Sequence, residues 1–368
     1  MSEKQDAFLE LLRAGLWEKE ARLSLFGKVD YEEVLRLAEE QSVVGLVTAG
    51  LEHVADVKVP QKYLLQFIGQ ALQIEQRNQA MNEFVGKLVQ KLHDNSINTL
   101  LVKGQGIAQC YERPLWRSSG DVDLLLDRVN YEKAKAFLIP FANSVESEFS
   151  FTKHLEMTIS SWSVELHGTM FTELSKQIDK GVSQVTEETF MEGGIRVWRN
   201  GEVDVFLPNP DNDVVFIFTH ILQHFFKWGI GLRQICDWCR LLWTYREQIN
   251  IALLEKRLRM MGIMTEWKAF AALSVNYLGI PTEAMPLYEQ STYWDKKATN
   301  ILIFILNTGN MGHNRDVSYY SNYPKVIRKM ISLYNHTKNS VKHFLIFPLD
   351  SLGIWGRMVR NGINAFLQ

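Results

Sequence analysis

Two aspartates separated by one residue are the feature of this sequence that most directly predicts chemistry. Asp121 and Asp123 open an apolar run that ends at Leu126 and is typical of a buried strand. Residues two apart in a strand point to the same face, so both carboxylates project together, about 7 Å apart along the backbone. Adjacent ionised carboxylates repel one another, and a divalent cation offsets that repulsion. Oxygen ligands with room for phosphate and water favour Mg²⁺, with Mn²⁺ as the alternative.

A glycine turn precedes this pair. The segment Lys103-Gly104-Gln105-Gly106 follows a short apolar run and opens a helical stretch. A strand that runs into Gly-x-Gly at a helix start exposes backbone N–H groups to an anion such as a triphosphate. Lys103 or Arg117 would add positive charge near the same phosphates. Metal-assisted phosphoryl or nucleotidyl transfer needs this combination of anion cradle, metal carboxylates and a positioned nucleophile.

Each half of this combination has a simpler explanation when it is taken alone. An Asp-x-Asp on a strand is often a solvated sheet edge or a Ca²⁺ site, and a Gly-x-Gly turn is more often only a turn. Their occurrence together, in the order strand, turn, helix and strand, favours a functional site over a solvated edge.

The surrounding pattern predicts a mixed α+β fold in three segments. Residues 1–95 read as helices, 96–208 as a small mixed-sheet α/β core, and 209–368 as a C-terminal helical segment. Residues 61–93 form one long helix or two stacked ones. A hairpin is expected around Asn200-Gly201, since this dipeptide separates two apolar runs.

Composition limits the classes of protein to consider. The 368 residues carry 40 Lys plus Arg against 42 Asp plus Glu, a formal net charge of −2. A protein that wraps nucleic acid normally has a strong basic surplus. Three cysteines are too few for a disulfide framework, and neither a signal-peptide core nor a membrane span is evident. We therefore expect a cytoplasmic protein with no membrane partner.

The span from residue 100 to 126 resembles the uncharacterised nucleotidyltransferase family of bacteria, within the DNA polymerase beta-like superfamily. The resemblance rests on a strand, Lys-Gly, a helix with Tyr and Pro, and Arg before Asp-hydrophobic-Asp. The matching positions are Lys103, Gly104, Tyr111, Pro114, Arg117, Asp121 and Asp123.

This resemblance implies an enzyme that transfers a nucleoside monophosphate from an NTP to an unknown acceptor with Mg²⁺. It implies that Asp121 and Asp123 bind the metal and that the glycine turn faces the triphosphate. The residues then expected to bind the nucleotide are Lys103, Gly104, Gln105, Arg117 and Ser118. We expect the acceptor to be a small molecule or a protein rather than nucleic acid.

A third carboxylate usually lies on a later strand of this superfamily, as a base or metal ligand. The family carries it in an Asp-Leu-His element, which Glu165-Leu166-His167 matches with Glu in place of Asp. Alternation places Glu165 and His167 on one face of that strand, as the role requires. Asp204 is the competing candidate, and we prefer Glu165 because His167 accompanies it.

The resemblance extends through residues 100–245. Family members carry a His-x-x-x-His helix and then a helix with Arg and Asp, which His220, His224, Arg233 and Asp237 fit. His167, His220 and His224 are then expected on the acceptor side of the cleft.

Several alternatives stay open. His220 and His224 could combine with Cys236 and Cys239 in a zinc site, although both cysteines lie in an apolar run where small buried residues are expected. His154 reads by default as a solvated turn residue near a hairpin.

The superfamily usually has Gly-Gly or Gly-Ser at the turn, whereas this chain has Gly104-Gln105. Gln105 either reaches the phosphates or obstructs them, and obstruction would leave a non-catalytic module that binds a protein partner. A toxin that modifies tRNA is a further alternative, which would need a basic groove beside Asp121.

Overall fold

A computed structural model describes residues 3–148, 153–191, 193–310, 342–348 and 350–357. The mixed α+β class expected from the sequence is confirmed, with a small mixed sheet between helical segments. Residues 311–341, 349 and 358–368 of the predicted C-terminal helical segment lie outside the described residues. The predicted segment boundaries stay predictions.

The helices are numbered in chain order. They are α1 (Glu3–Trp17), α2 (Tyr31–Glu40), α3 (Val44–Glu52), α4 (Gln61–Asp94), α5 (Gly104–Ala108), α6 (Arg128–Leu138), α7 (Lys176–Thr189), α8 (Pro210–Lys227), α9 (Leu232–Thr244), α10 (Ile251–Met261), α11 (Met264–Leu278) and α12 (Thr292–Thr308). The stretch expected to form one or two long helices is the single helix α4.

The strands form two sheets. They are β1 (Leu100–Val102), β2 (Val122–Leu125), β3 (Ser144–Val145), β4 (His154–Ile159), β5 (Trp162–His167), β6 (Ile195–Asn200) and β7 (Val203–Pro208). The first five make a sheet in the order β1-β2-β5-β4-β3, in which β2 and β5 run parallel and the other neighbours antiparallel. The pair β6–β7 is the hairpin expected at Asn200-Gly201, and Gly201 has the positive φ of 62° that such a turn uses.

The five-stranded sheet has two chemically different faces because its side chains alternate. We call one the back face, which packs against α4 and α6 in a single apolar core. Its members are Leu101, Val122, Leu124, Leu155, Met157, Val164 and Leu166.

We call the opposite side the front face. At its edge Leu100, Val102 and Leu125 join a larger core formed mainly by the helices. Further along, the front face carries Asp123, His154, Glu156, Glu165 and His167.

Short polar residues begin several of the helices near this sheet. Asp127 lies two residues after β2 and accepts hydrogen bonds from the backbone N–H groups of Val129 and Asn130, so the chain turns quickly into α6. Asn209 caps α8 in the same way, with Pro210 at its first position. These caps fix where α6 leaves the sheet and where α8 enters the helical core.

Among the described residues, no helix combines the length and the apolar composition that crossing a bilayer requires.

Candidate active site

Strand register brings the sequence-predicted acidic residues together on the front face. Asp123 of β2 pairs directly with Glu165 of the parallel strand β5. Since neighbouring residues in register point to the same side, both carboxylates face the same space. Asp204, the competing third carboxylate, lies on the separate hairpin, where it is exposed and paired with Arg199 at 2.8 Å.

A continuous hydrogen-bond network joins these carboxylates to basic groups. Lys103 Nζ donates to Asp123 Oδ1 at 2.8 Å, and His167 Nε2 lies 2.9 Å from the same oxygen. His167 Nε2 is also 3.2 Å from Glu165 Oε2. The network joins the neighbouring strands β2 and β5 and the turn that follows β1, so the sheet sets the distances between most of its members.

The network shifts the pKa values of its members in opposite directions. Burial would raise the pKa of Glu165, but hydrogen bonds with His154 and His167 outweigh it and hold that pKa well below its usual range. Burial would lower the pKa of His167, yet Asp123 and Glu165 raise it. Lys103 behaves similarly, since Asp123 and Glu165 raise its pKa against the effect of burial. These two cations therefore neutralise part of the carboxylate charge.

Asp121 lies just before β2 and is exposed. Partial desolvation and the charges of Asp123 and Glu165 together raise its pKa to about 6. Three carboxylates thus share one region with Lys103 and His167. An oxygen-rich site of this kind fits a divalent cation, and Asp121, Asp123 and Glu165 are the residues that would hold it.

The glycine turn has an unusual backbone. Lys103 has a positive φ of 58°, and Gly104 follows with a φ of 37°. A non-glycine residue in this region costs on the order of 1–3 kcal/mol, and such residues cluster at functional sites. A Cβ on Gly104 would stand 3.4 Å from the backbone oxygen of Asp121, so the turn lies directly against the aspartate pair. The helix that follows the turn, α5, is only five residues long.

Gln105 is buried on the side of α4. Its side-chain Nε2 donates to Asn82 Oδ1 at 2.6 Å, and the residue is only 3% exposed. Its side-chain amide therefore contributes to packing between the turn and α4.

Arg117 forms a buried bidentate ion pair with Asp237 of α9. Its Nε and Nη2 donate to the two carboxylate oxygens, each at 2.7 Å, and both residues are about 5% exposed. Such geometry fixes the loop that leads to Asp121. Ser118, the next residue, accepts a hydrogen bond from Arg233 Nη1 at its backbone oxygen, at 3.0 Å.

Arg233 of α9 is a further cation in this region, in addition to Lys103 and Arg117. Its Nε is buried and finds no partner among the described residues. Burial lowers its pKa, and the neighbouring Arg117 lowers it further, while Asp237 and Asp121 act in the opposite direction. A buried guanidinium whose Nε has no partner among the described residues is suited to bind an anion.

The two histidines of α8 lie close enough to this region for the charges of Lys103 and Glu165 to act on them. Burial lowers the pKa of His224 to about 4, and the charges of Lys103 and Arg233 act in the same direction. Burial and Lys103 also lower the pKa of His220 well below its usual value. Their rings contact each other with centroids 4.3 Å apart. Both imidazoles are therefore neutral at pH 7 and able to accept a proton or a hydrogen bond.

The alternative zinc site is not assembled. Cys236 and Cys239 are fully buried, and burial raises the pKa of both thiols. In the described part of the chain, neither cysteine joins His220 or His224 in a cluster of metal-ligating groups. Both thiols instead belong to the core.

His154 is the site residue that the sequence reading missed. Rather than a solvated turn residue, it is the first residue of β4, and its Nε2 lies 3.1 Å from Glu165 Oε2. Its ring stacks on that of His167, with centroids 4.9 Å apart and planes at 16°. The signal was the alternation of His154 and Glu156 with Leu155 and Met157, which predicts a strand with a polar face.

Comparison with known proteins gives one match. A family model described as "Uncharacterised nucleotidyltransferase" matches residues 27–279 and so runs across all three predicted segments. No curated protein and no solved structure matches the chain.

Proposed function

This chain belongs to the uncharacterised nucleotidyltransferase family, and we propose that it transfers a nucleoside monophosphate from an NTP to an acceptor in an Mg²⁺-dependent reaction. The observation that carries this proposal is the convergence of Asp121, Asp123 and Glu165 on the front face. Burial and the charges of Asp123 and Glu165 together raise the pKa of Asp121 to about 6, so the three carboxylates repel one another. A divalent cation, with Mn²⁺ as the alternative to Mg²⁺, would offset that repulsion and polarise a phosphate oxygen.

In this reaction the acceptor oxygen forms a bond to the α-phosphorus, and the bond to the β-phosphate oxygen breaks, so that pyrophosphate leaves. The acceptor's proton must go to a base. Glu165 is a poor base because its pKa lies well below the usual range, and this favours its role as a metal ligand. We assign this proton to His220 or His224, which are neutral imidazoles, although burial lowers the pKa of both and makes them weak bases.

Triphosphate binding is best supported at Lys103, the Gly104 turn and Arg233. Arg117 was the arginine expected there from the sequence, but its Nε and Nη2 donate to Asp237 and its Nη1 donates to the backbone oxygen of Ser118. Arg233 has a donor without a partner among the described residues, and it already holds the backbone of Ser118. We assign Arg117 a positioning role and Arg233 the phosphate contact.

The test is a screen of labelled NTPs with Mg²⁺ and crude acceptors, read as label transfer and pyrophosphate release. Asp123→Asn should lower both signals about a thousandfold, since a metal ligand acts in the reacting complex. Asp204→Asn is the matched control, because that carboxylate is exposed and lies on the separate hairpin. Equal activity of wild type and Asp123→Asn would refute the proposal.

Arg233→Gln tests the phosphate contact in the same assay. We expect Mg²⁺-NTP affinity, measured by calorimetry, to fall about tenfold because one charge-assisted hydrogen bond is lost. Arg199→Gln serves as the control, since Arg199 is exposed and paired with Asp204. Unchanged affinity in Arg233→Gln would contradict the phosphate contact assigned to Arg233 and would favour Arg117 for that contact instead.

The two other functions considered from the sequence receive less support. The non-catalytic module depended on Gln105 obstructing the phosphates, and that side chain is bound to Asn82 of α4. A tRNA-modifying toxin would need a basic groove, and the net charge of −2 does not favour one.

A further inference from the structure

We propose that His154, Glu165 and His167 form a binding site for a divalent transition metal, of which Zn²⁺ is the best match. The site adjoins the proposed Mg²⁺ carboxylates and shares Glu165 with them. It does not depend on nucleotidyl transfer, because the ligands come from the folded chain alone.

The distances between the three ligand atoms suit one small ion. His154 Nε2 and His167 Nε2 lie 3.1 Å and 3.2 Å from the same oxygen, Glu165 Oε2, and all three atoms lie within 4.8 Å of one another. Ligands bound tetrahedrally to Zn²⁺ at about 2.0–2.1 Å are separated by roughly 3.3 Å. Binding would therefore require only small side-chain movements.

The backbone fixes the ligands in this arrangement. His154 and His167 are paired residues of the antiparallel strands β4 and β5, and Glu165 lies two residues before His167 on the same face. The two imidazole rings stack on each other, and the Nε2 atom of each lies close to the shared oxygen. Ligands on paired strands of one sheet are held more rigidly than ligands on loops.

The donor set selects the class of metal. Imidazole nitrogen suits Zn²⁺ and its neighbours among the transition metals, whereas Mg²⁺ prefers oxygen ligands and retains its waters. Two histidines and one glutamate also make a three-ligand site, and such zinc sites leave a further position for water or substrate. The side chains of His154 and Glu165 are 29% and 19% exposed, so that position is accessible from the cleft. Asp123 Oδ1, 2.9 Å from His167 Nε2, borders the site on its other side.

The first experiment titrates chelator-treated, full-length protein with Zn²⁺ and with Co²⁺ as a spectroscopic probe, in the absence of nucleotide. Wild type should bind one Zn²⁺ per chain, and a large excess of Mg²⁺ should not displace it. His154→Gln should weaken Zn²⁺ binding at least tenfold, as loss of a ligand does. His53→Gln is the matched control, because His53 also pairs with a glutamate, Glu18, but joins no metal-ligating cluster within the described ranges of the chain.

X-ray absorption of the Zn²⁺-loaded wild type gives a reading that does not depend on whether variants fold. Two imidazoles with additional oxygen ligands and no sulfur are expected. Sulfur ligands would instead indicate Cys236 and Cys239 and would overturn the proposal, as would equal Zn²⁺ affinity in His154→Gln.

Asp121→Asn separates this inference from the proposed function. It should abolish Mg²⁺-dependent NTP binding while leaving Zn²⁺ affinity within about threefold of wild type, since Asp121 is outside the three-ligand cluster. Zn²⁺ binding without any Mg²⁺-dependent NTP binding in wild type would refute nucleotidyl transfer and leave the metal site standing. Mg²⁺-dependent NTP binding without Zn²⁺ binding in wild type would refute the metal site alone.

Discussion

The back face of the five-stranded sheet packs against α4 and α6, whereas its front face carries ionisable side chains that contact one another. Both faces come from the same strands: Leu166 lies between Glu165 and His167, and Leu124 follows Asp123. The back face excludes water and is stabilised by burial of apolar surface. The front face gains little from burial, because each buried charge there must be compensated by a neighbour. Substitutions on the two faces should therefore affect different properties of the protein.

The largest effect on stability is expected at the back face. Leu166 is fully buried, and Leu166→Ala should lower the free energy of unfolding by about 2–5 kcal/mol, as cavity formation does in other cores. Urea unfolding measures this, with Val129→Ala, 62% exposed on α6, as the control. Molecules that remain folded should bind Mg²⁺-NTP with nearly wild-type affinity. A large loss of affinity in the folded fraction would show that the faces are not independent.

A smaller effect is expected from pH at the front face. The pKa of Asp121 is raised to about 6, so this carboxyl is protonated as the pH falls below that value. Mg²⁺ affinity should then fall by up to about tenfold per pH unit below 6, because protons compete with the metal.

The raised pKa of Asp121 has the opposite effect on the stability of the fold from its effect on Mg²⁺ affinity. A carboxyl whose pKa is raised on folding destabilises the metal-free protein as the pH rises from about 4 to 6. Asp121→Asn should remove this dependence, and its thermal unfolding should be unchanged or slightly improved at pH 7. Identical pH profiles for wild type and variant would contradict the assignment.

The smallest effect is expected at Gln105, which belongs to neither face. Loss of its hydrogen bond to Asn82 in Gln105→Ala should lower the free energy of unfolding by about 1 kcal/mol. Mg²⁺-NTP affinity should stay within about twofold of wild type, measured by calorimetry. A marked gain in affinity would mean that Gln105 does obstruct the phosphates.

Local pattern was sufficient for most of the elements. Alternation predicted β5, and Asn200-Gly201 predicted the β6–β7 hairpin. The scarcity of Gly and Pro predicted one long helix or two stacked ones where α4 lies. Alternation also placed Glu165 and His167 on one face of their strand, and the structure sets that face beside Asp123.

Contacts between residues far apart in the sequence could not be predicted from local sequence patterns. The ion pair of Arg117 with Asp237 depends on how α9 docks on the loop before β2. The same docking leaves the Nε donor of Arg233 without a partner among the residues that the structure describes. The inclusion of His154 depends on the register of β4 against β5. Sequence spacing predicts periodicity within an element, but it does not specify which residue of another element completes a charge network.

The ion pair between Arg117 and Asp237 also bears on how the chain folds. The two residues are 120 positions apart, so the pair forms only after a long loop has closed, which is an entropically costly and late contact. It also crosses the predicted boundary at residue 208. A fragment that ends there would lose Asp237, and removing one partner of a buried ion pair typically costs about 3–5 kcal/mol. The α/β segment and the helix that carries Asp237 are therefore expected to acquire their final structure as one cooperative unit, with the cleft completed only when α9 has docked.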